Sequence, residues 1–127
     1  MTNQQQLDLL KQEVATTWNT WREEHPDTAI ELNGVDLSEA NLGEVNLTEA
    51  DLSESDLSGA NLAAADLSTA DLSQANLSQA NLRDADLAGA NLHGANLYEA
   101  RLDWALLEGA LITPEQLSQA RVGDDSL

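Results

Sequence analysis

A hydrophobic residue recurs every five positions through most of this chain, and that period restricts the fold more than any other feature. The stretch ANLSQANLRDADL, residues 75–87, shows the unit: a small residue, Asp or Asn, leucine, then two variable positions. Taking the leucine as the centre, the series runs from Leu32 to Ile112 with one centre in every five residues, and every centre except Ile112 is leucine. Two residues before the centre stands alanine or a modest substitute such as Val35, Val45 or Ser55, and from Asp36 to Asn96 the residue directly before it is always Asp or Asn. In an α-helix a five-residue step turns by about 140°, which scatters the leucines around the axis. In a flat strand an odd step sends successive leucines to opposite faces and fills the interior with Asp, Asn, Ser and Gly, which strands disfavour. A solenoid satisfies the pattern: each unit forms one side of a coil, points its leucine and alanine inward, and bends at the Asx and Ser positions.

The repeating small–Asx–Leu–x–x unit resembles the motif of the pentapeptide repeat family over residues 30–112. The resemblance implies an all-β solenoid, a right-handed quadrilateral β-helix of about four coils and about 20 Å tall at the usual strand spacing. The residues alone do not choose the number of sides, because Asp/Asn identity recurs at three units somewhat more often than at four. Three segments follow: residues 1–29 as an N-terminal helical cap and connector, 30–112 as the β-helix, and 113–127 as a C-terminal short helix and tail.

Both flanks read as short α-helical caps over ends that would otherwise expose leucine and unpaired strand edges. Leu7, Leu10, Val14, Trp18 and Trp21 recur at helical spacing until Pro26 stops the pattern. This leader resembles those of cyanobacterial members of the family, and its tryptophans are read as cap rather than partner site. At the other end Thr113, Pro114 and Gln116 form a helix-start signature, predicting a helix over 114–121. Just before it Arg101, Leu106 and Leu111 replace the usual Asx, and Trp104 takes an outward position. Apolar residues on the outside need cover. Either Leu117 and Val122 fold back on Trp104, Leu106 and Leu111, or a second copy does, as the resemblance to C-terminally paired relatives implies; monomer and homodimer both stay open, with the intramolecular cover favoured.

Charge narrows the function. Twenty-three acids against five bases leave a formal charge of −18, which excludes a basic patch for direct nucleic-acid or anionic-membrane binding and makes a charge-recruited protein partner basic. There is no cysteine, no basic and apolar leader, and no apolar run long enough for a membrane span, so the expectation is a cytoplasmic chain. His25 and His93 stand outside any ligand cluster, no phosphate loop or nucleophile motif occurs, and a rod filled with its own leucines has no obvious pocket, so neither enzyme activity nor a metal or cofactor is expected. The candidate partner surface is the acidic run at the start of the array. Asp36, Asp51 and Asp56 lie in Asx positions, and Glu39, Glu44, Glu49 and Glu54 would ring the first coils if there are four sides. The candidate C-terminal contact is Trp104, Leu106, Leu111 and Leu117. The leading reading is a non-enzymatic protein-binding or structural module. The alternative, implied by resemblance to relatives that protect DNA gyrase, is a DNA-mimic modulator of gyrase or another topoisomerase; the chain departs from that subgroup in having no phenylalanine and no interruption of the array.

Overall fold

A computed structural model of the chain describes residues 2–12 and 15–123. Helices α1 (Asn3–Leu10) and α2 (Ala15–Glu24) precede the repeat array, and α3 (Pro114–Gln119) follows it. Between them the strand-like pairing consists of single-residue parallel bridges, spaced five residues apart along the chain and joining a position to the one twenty residues later: Glu31 to Asp51, Asp36 to Asp56, Asn41 to Asn61, Asn46 to Asp66, and onward to Asn91 with Leu111, then Arg101 with Arg121 after the step that α3 takes up. A register of twenty residues is four pentapeptides per turn, which settles the number of sides left open by the sequence.

Each unit uses its backbone in the same way. Leu32 N–H donates to the Asp51 carbonyl at 2.8 Å, Gly34 N–H to that of Ser53 at 2.9 Å, and Asp51 N–H returns to Ile30 at 2.8 Å. The chain then turns, with Ala40 N–H closing on the Leu37 carbonyl at 3.1 Å. The Asx residue shapes the turn: Asp36 Oδ1 accepts from Ser38 N–H at 2.9 Å and from its Oγ at 2.6 Å, and Asp51, Asp56, Asp66, Asp71 and Asn76 do the same with the serine two residues on. Asp and Asn are interchangeable here because either offers the same carbonyl-type oxygen.

Inside, every central leucine from Leu32 to Leu97 is fully buried, and the inward alanines from Ala50 to Ala100 are buried with them. Ser55, at an alanine position, donates Oγ to the Leu52 carbonyl at 2.6 Å and so leaves no unpaired group in the core. The last residue of each turn lies in the left-handed region, at φ near +60° from Glu39 to Trp104. Thr69 is the β-branched case, at φ 57, where an L-residue costs about 1–2 kcal/mol and a branched one more. Gly89 and Gly109 hold the same place on the following coils. Thr69→Gly is therefore expected to stabilise the protein by about 0.5–1 kcal/mol after glycine's own entropy is subtracted, read as a higher urea midpoint; an unchanged or lower midpoint would mean that the turn carries no strain.

The flanks differ from the sequence reading. The leader is not one helical run but two helices, with residues 11–12 in a turn and Val14 outside the described residues. Trp18 is buried against the array, and Trp21 lies between it and His25, with ring centroids 5.5 and 4.9 Å apart. The C-terminal helix carries the expected capping box, Gln116 N–H to Thr113 Oγ1 at 3.1 Å and Thr113 N–H to Gln116 Oε1 at 2.8 Å, but it ends at Gln119 because Ala120 is extended and Arg121 joins the ladder. Leu117 and Val122 then pack against the end of the core, each twenty residues after a central leucine.

Candidate functional site

The candidate acidic surface is set by the turn. Glu39, Glu44, Glu49 and Glu54 fall at the left-handed corner of four successive sides, all exposed, so the geometry brings them into one ring around the first coils. They do not all stand free: the Glu39 carboxylate lies over Gly59 on the next coil, where a β-carbon would collide with it. Asp36 is exposed and bridges to Asp56 on the coil above, while Asp51 bridges to Asp71. From Glu31 to Asp56 the array has eight acids and no base, and among the described residues the ion pairs lie elsewhere, at Arg101–Asp103 (3.3 Å) and Arg121–Glu99 (2.9 Å). Hydrogen bonds from the Ser38 hydroxyl and N–H hold the Asp36 carboxyl below the usual carboxylate range. The stabilisation linked to that ionisation is present above the unfolded-state value of about 3.9 and is lost as pH falls through the lower folded-state value.

The C-terminal candidates separate. Leu117 is partly buried on the core, whereas Trp104 (56% exposed), Leu106 (58%) and Leu111 (61%) remain in water. The expected intramolecular cover is thus not made: Leu117 and Val122 occupy the next inward places of the coil and cannot also lie on its outside. Replacing Asx by Arg101 also removes a turn bond, and Arg101 instead donates Nε to Asp103, whose carboxyl that bond holds below its ordinary range. The rod is not without a recess either. An open groove of about 630 Å³ runs along its C-terminal end beside Leu111, lined by Ser73, Asn91, His93, Ile112, Thr113 and Gln116. His93 and His25 are exposed, and among the described residues no group of His, Asp and Glu is placed to hold a metal ion. No described helix is long and apolar enough to cross a membrane.

What the sequence did not indicate is how α2 meets the array. Arg22 donates Nη1 to the Asn46 carbonyl at 3.0 Å and Nη2 to that of Thr48 at 3.1 Å. Trp18 Nε1 reaches the Asn46 carbonyl at 2.7 Å, and Asn19 accepts from Asn46 N–H at 2.7 Å while donating to the Glu44 carbonyl at 3.0 Å. Side chains of one helix stand in for the backbone of a missing coil. Burial lowers the Arg22 guanidinium from its ordinary value, with Glu49 and Asp66 opposing the shift. The only sequence signal was the one-residue spacing of Asn19 from Trp18 and the three-residue spacing to Arg22, which reads as an ordinary polar helix face.

Comparison with known proteins follows the same architecture. The sequence profile for pentapeptide repeats matches eight copies, over residues 30–68 and 70–109. Among solved structures the chain is similar to a pentapeptide repeat protein from the Arabidopsis thaliana thylakoid lumen, at 33% identity and a TM-score of 0.62; the match covers 72% of this chain and 60% of that one. It is also similar to pentapeptide repeat proteins of two cyanobacteria, Cyanothece 51142 (26% identity, TM-score 0.42, 87% of this chain and 97% of that one) and Nostoc PCC 7120 (32%, 0.37, 82% and 93%). No curated protein matches the chain.

Proposed function

The chain belongs to the pentapeptide repeat family, and on that footing we propose that it is a non-enzymatic binding rod, a right-handed four-sided β-helix of slightly more than four coils whose acidic N-terminal half engages a basic protein. One observation carries the reading: eight carboxylates between Glu31 and Asp56 share a rigid ladder with no base among them and no ion pair. Arg22 near Glu49 and Lys11 near Asp36 offset only part of this charge; a fixed excess of one sign attracts a partner of the other, and the attraction weakens with salt. The quadruple variant Glu39→Gln, Glu44→Gln, Glu49→Gln, Glu54→Gln is expected to keep its melting behaviour. Partner proteins retained on the immobilised wild-type chain at low salt should be lost from the variant, and the salt dependence should flatten. Equal retention by both would move the interface to Trp104 or the leader.

A second reading has its own support, the stacking of Asp36 on Asp56, Asp51 on Asp71 and Asp66 on Asp86, which repeats negative charge along three sides of the rod. Such rows resemble the regular charge of duplex DNA and favour a mimic presented to DNA gyrase or another topoisomerase. A gyrase supercoiling assay separates the two: inhibition by the purified protein that fades with salt and in the quadruple variant supports mimicry, and no inhibition at about ten times a typical micromolar Kd removes it.

A further inference from the structure

The first coil has no coil beneath it, and each side of its lower edge presents the same three backbone groups: the N–H and C=O of the Asx position and the C=O two residues later. On the side holding Asn46 and Thr48, α2 satisfies all three through Trp18, Asn19 and Arg22. On the side holding Glu31, Gln6 of α1 accepts from the Glu31 N–H at 3.1 Å and donates to the Ala29 carbonyl at 2.9 Å. On the two sides between, no group among the described residues pairs with the N–H of Asp36 and Asn41 or with the carbonyls of Asp36, Ser38, Asn41 and Gly43. That edge offers four acceptors to two donors, is flanked by the exposed carboxylates of Asp36, Glu39 and Glu44, and borders a recess of about 250 Å³ lined by Leu10, Lys11, Ser38, Glu39 and Asn41, with Lys11 the one base of this chain beside it.

We propose that the edge from Asp36 to Gly43 is a docking site for an arginine-bearing helix of a partner protein, which would repeat on Asn41 and Gly43 what Asn19 and Arg22 of this chain do on Asn46 and Thr48. The chemistry of the occupant follows from the filled side. A guanidinium spans the two carbonyls with two N–H groups, as Arg22 does at 3.0 and 3.1 Å, while a carboxamide three residues earlier accepts from the N–H of the Asx residue and donates to the carbonyl two residues before it, as Asn19 does with Asn46 and Glu44. Lysine supplies a single point of charge and cannot bridge the pair. On this edge the carboxylates of Asp36, Glu39 and Glu44 outnumber Lys11, so the balance of charge still attracts a cation. The inference rests on the acidic-rod reading and narrows it from a charged surface to one edge and one side-chain chemistry.

The probe is a synthetic amidated, fluorescein-labelled peptide of residues 15–24 carrying Glu23→Lys and Glu24→Lys, titrated into the full-length protein by anisotropy at low salt, beside the same peptide with its arginine replaced by lysine. The arginine peptide is expected to bind about tenfold more tightly than the lysine peptide, and Glu39→Gln with Glu44→Gln should weaken it more than Glu49→Gln with Glu54→Gln. Amide resonances of Asp36 and Asn41 should shift on binding. Equal affinity for the two peptides, with both glutamine pairs weakening them alike, would overturn the edge site while leaving the acidic rod standing. Shifts confined to Asn46 and Thr48 would mean that the peptide displaces α2, which also overturns it. Failure of every peptide to bind at low salt would bring down both readings together.

Discussion

Leu77→Asp is expected to leave the protein without a cooperative thermal transition, whereas Gln79→Lys, two residues away, should melt within about 0.5 kcal/mol of the wild type. Leu77 is fully buried, stacked between Leu57 and Leu97 on the coils below and above, and its N–H bonds to the Asn96 carbonyl at 2.8 Å. A carboxylate there has neither water nor a partner, a cost of several kcal/mol. Gln79 sits at an exposed left-handed corner with φ 60, which lysine occupies on the same terms. A milder Leu77→Ala is expected to cost about 3–5 kcal/mol. Because a solenoid holds each coil only through its neighbours, damage in the middle reaches both halves. Circular dichroism melts of the three variants decide the matter, and equal behaviour of Leu77→Asp and Gln79→Lys would overturn the assignment of inward and outward positions.

Trp18→Ala is expected to destabilise by about 3–5 kcal/mol, although Trp18 belongs to the leader rather than to the repeats. Its ring is 1% exposed, and its Nε1 donates to the Asn46 carbonyl. Trp18→Phe keeps most of the apolar contact and loses that bond, at about 1 kcal/mol. The damage should be local: hydrogen exchange should speed at the amides of the first coil, such as Asn46, and remain slow at Leu72 and Leu77. Uniform loss of protection would show that α2 supports the whole rod instead of its lower edge.

These two residues also mark where the sequence was legible. The place of Leu77 follows from the five-residue period alone, as do the buried alanines and the Asx-to-Ser turn bonds, because each is a local consequence of a unit repeated many times. The four-sided register does not follow, since it depends on which distant units stack. The same reason hid the roles of Asn19 and Arg22: their partners lie 24 to 27 residues away, and nothing local distinguishes them from other polar residues on a helix. Leu117 and Val122 were visible as apolar but were expected on the outside. Their spacing of five from Ile112 continues the central series, and only the intervening α3 disguised it. The acidic ring was legible as composition and became geometry once the twenty-residue register placed Glu39, Glu44, Glu49 and Glu54 on four different sides.

The twenty-residue register makes chain length an angular coordinate. Deleting one pentapeptide from the middle of the array would keep every leucine inward and every turn intact, yet it would swing everything downstream through about a quarter turn and draw it in by about 1.2 Å, a quarter of the 4.8 Å strand spacing. The azimuth between the acidic corner at Glu44 and the apolar corner at Trp104 would change while the fold did not. Deleting four pentapeptides restores the azimuth and shortens the rod by one coil. Two surfaces that must face one partner together are therefore conserved only under insertions and deletions of whole coils, a constraint that acts on the gene's length rather than on any residue.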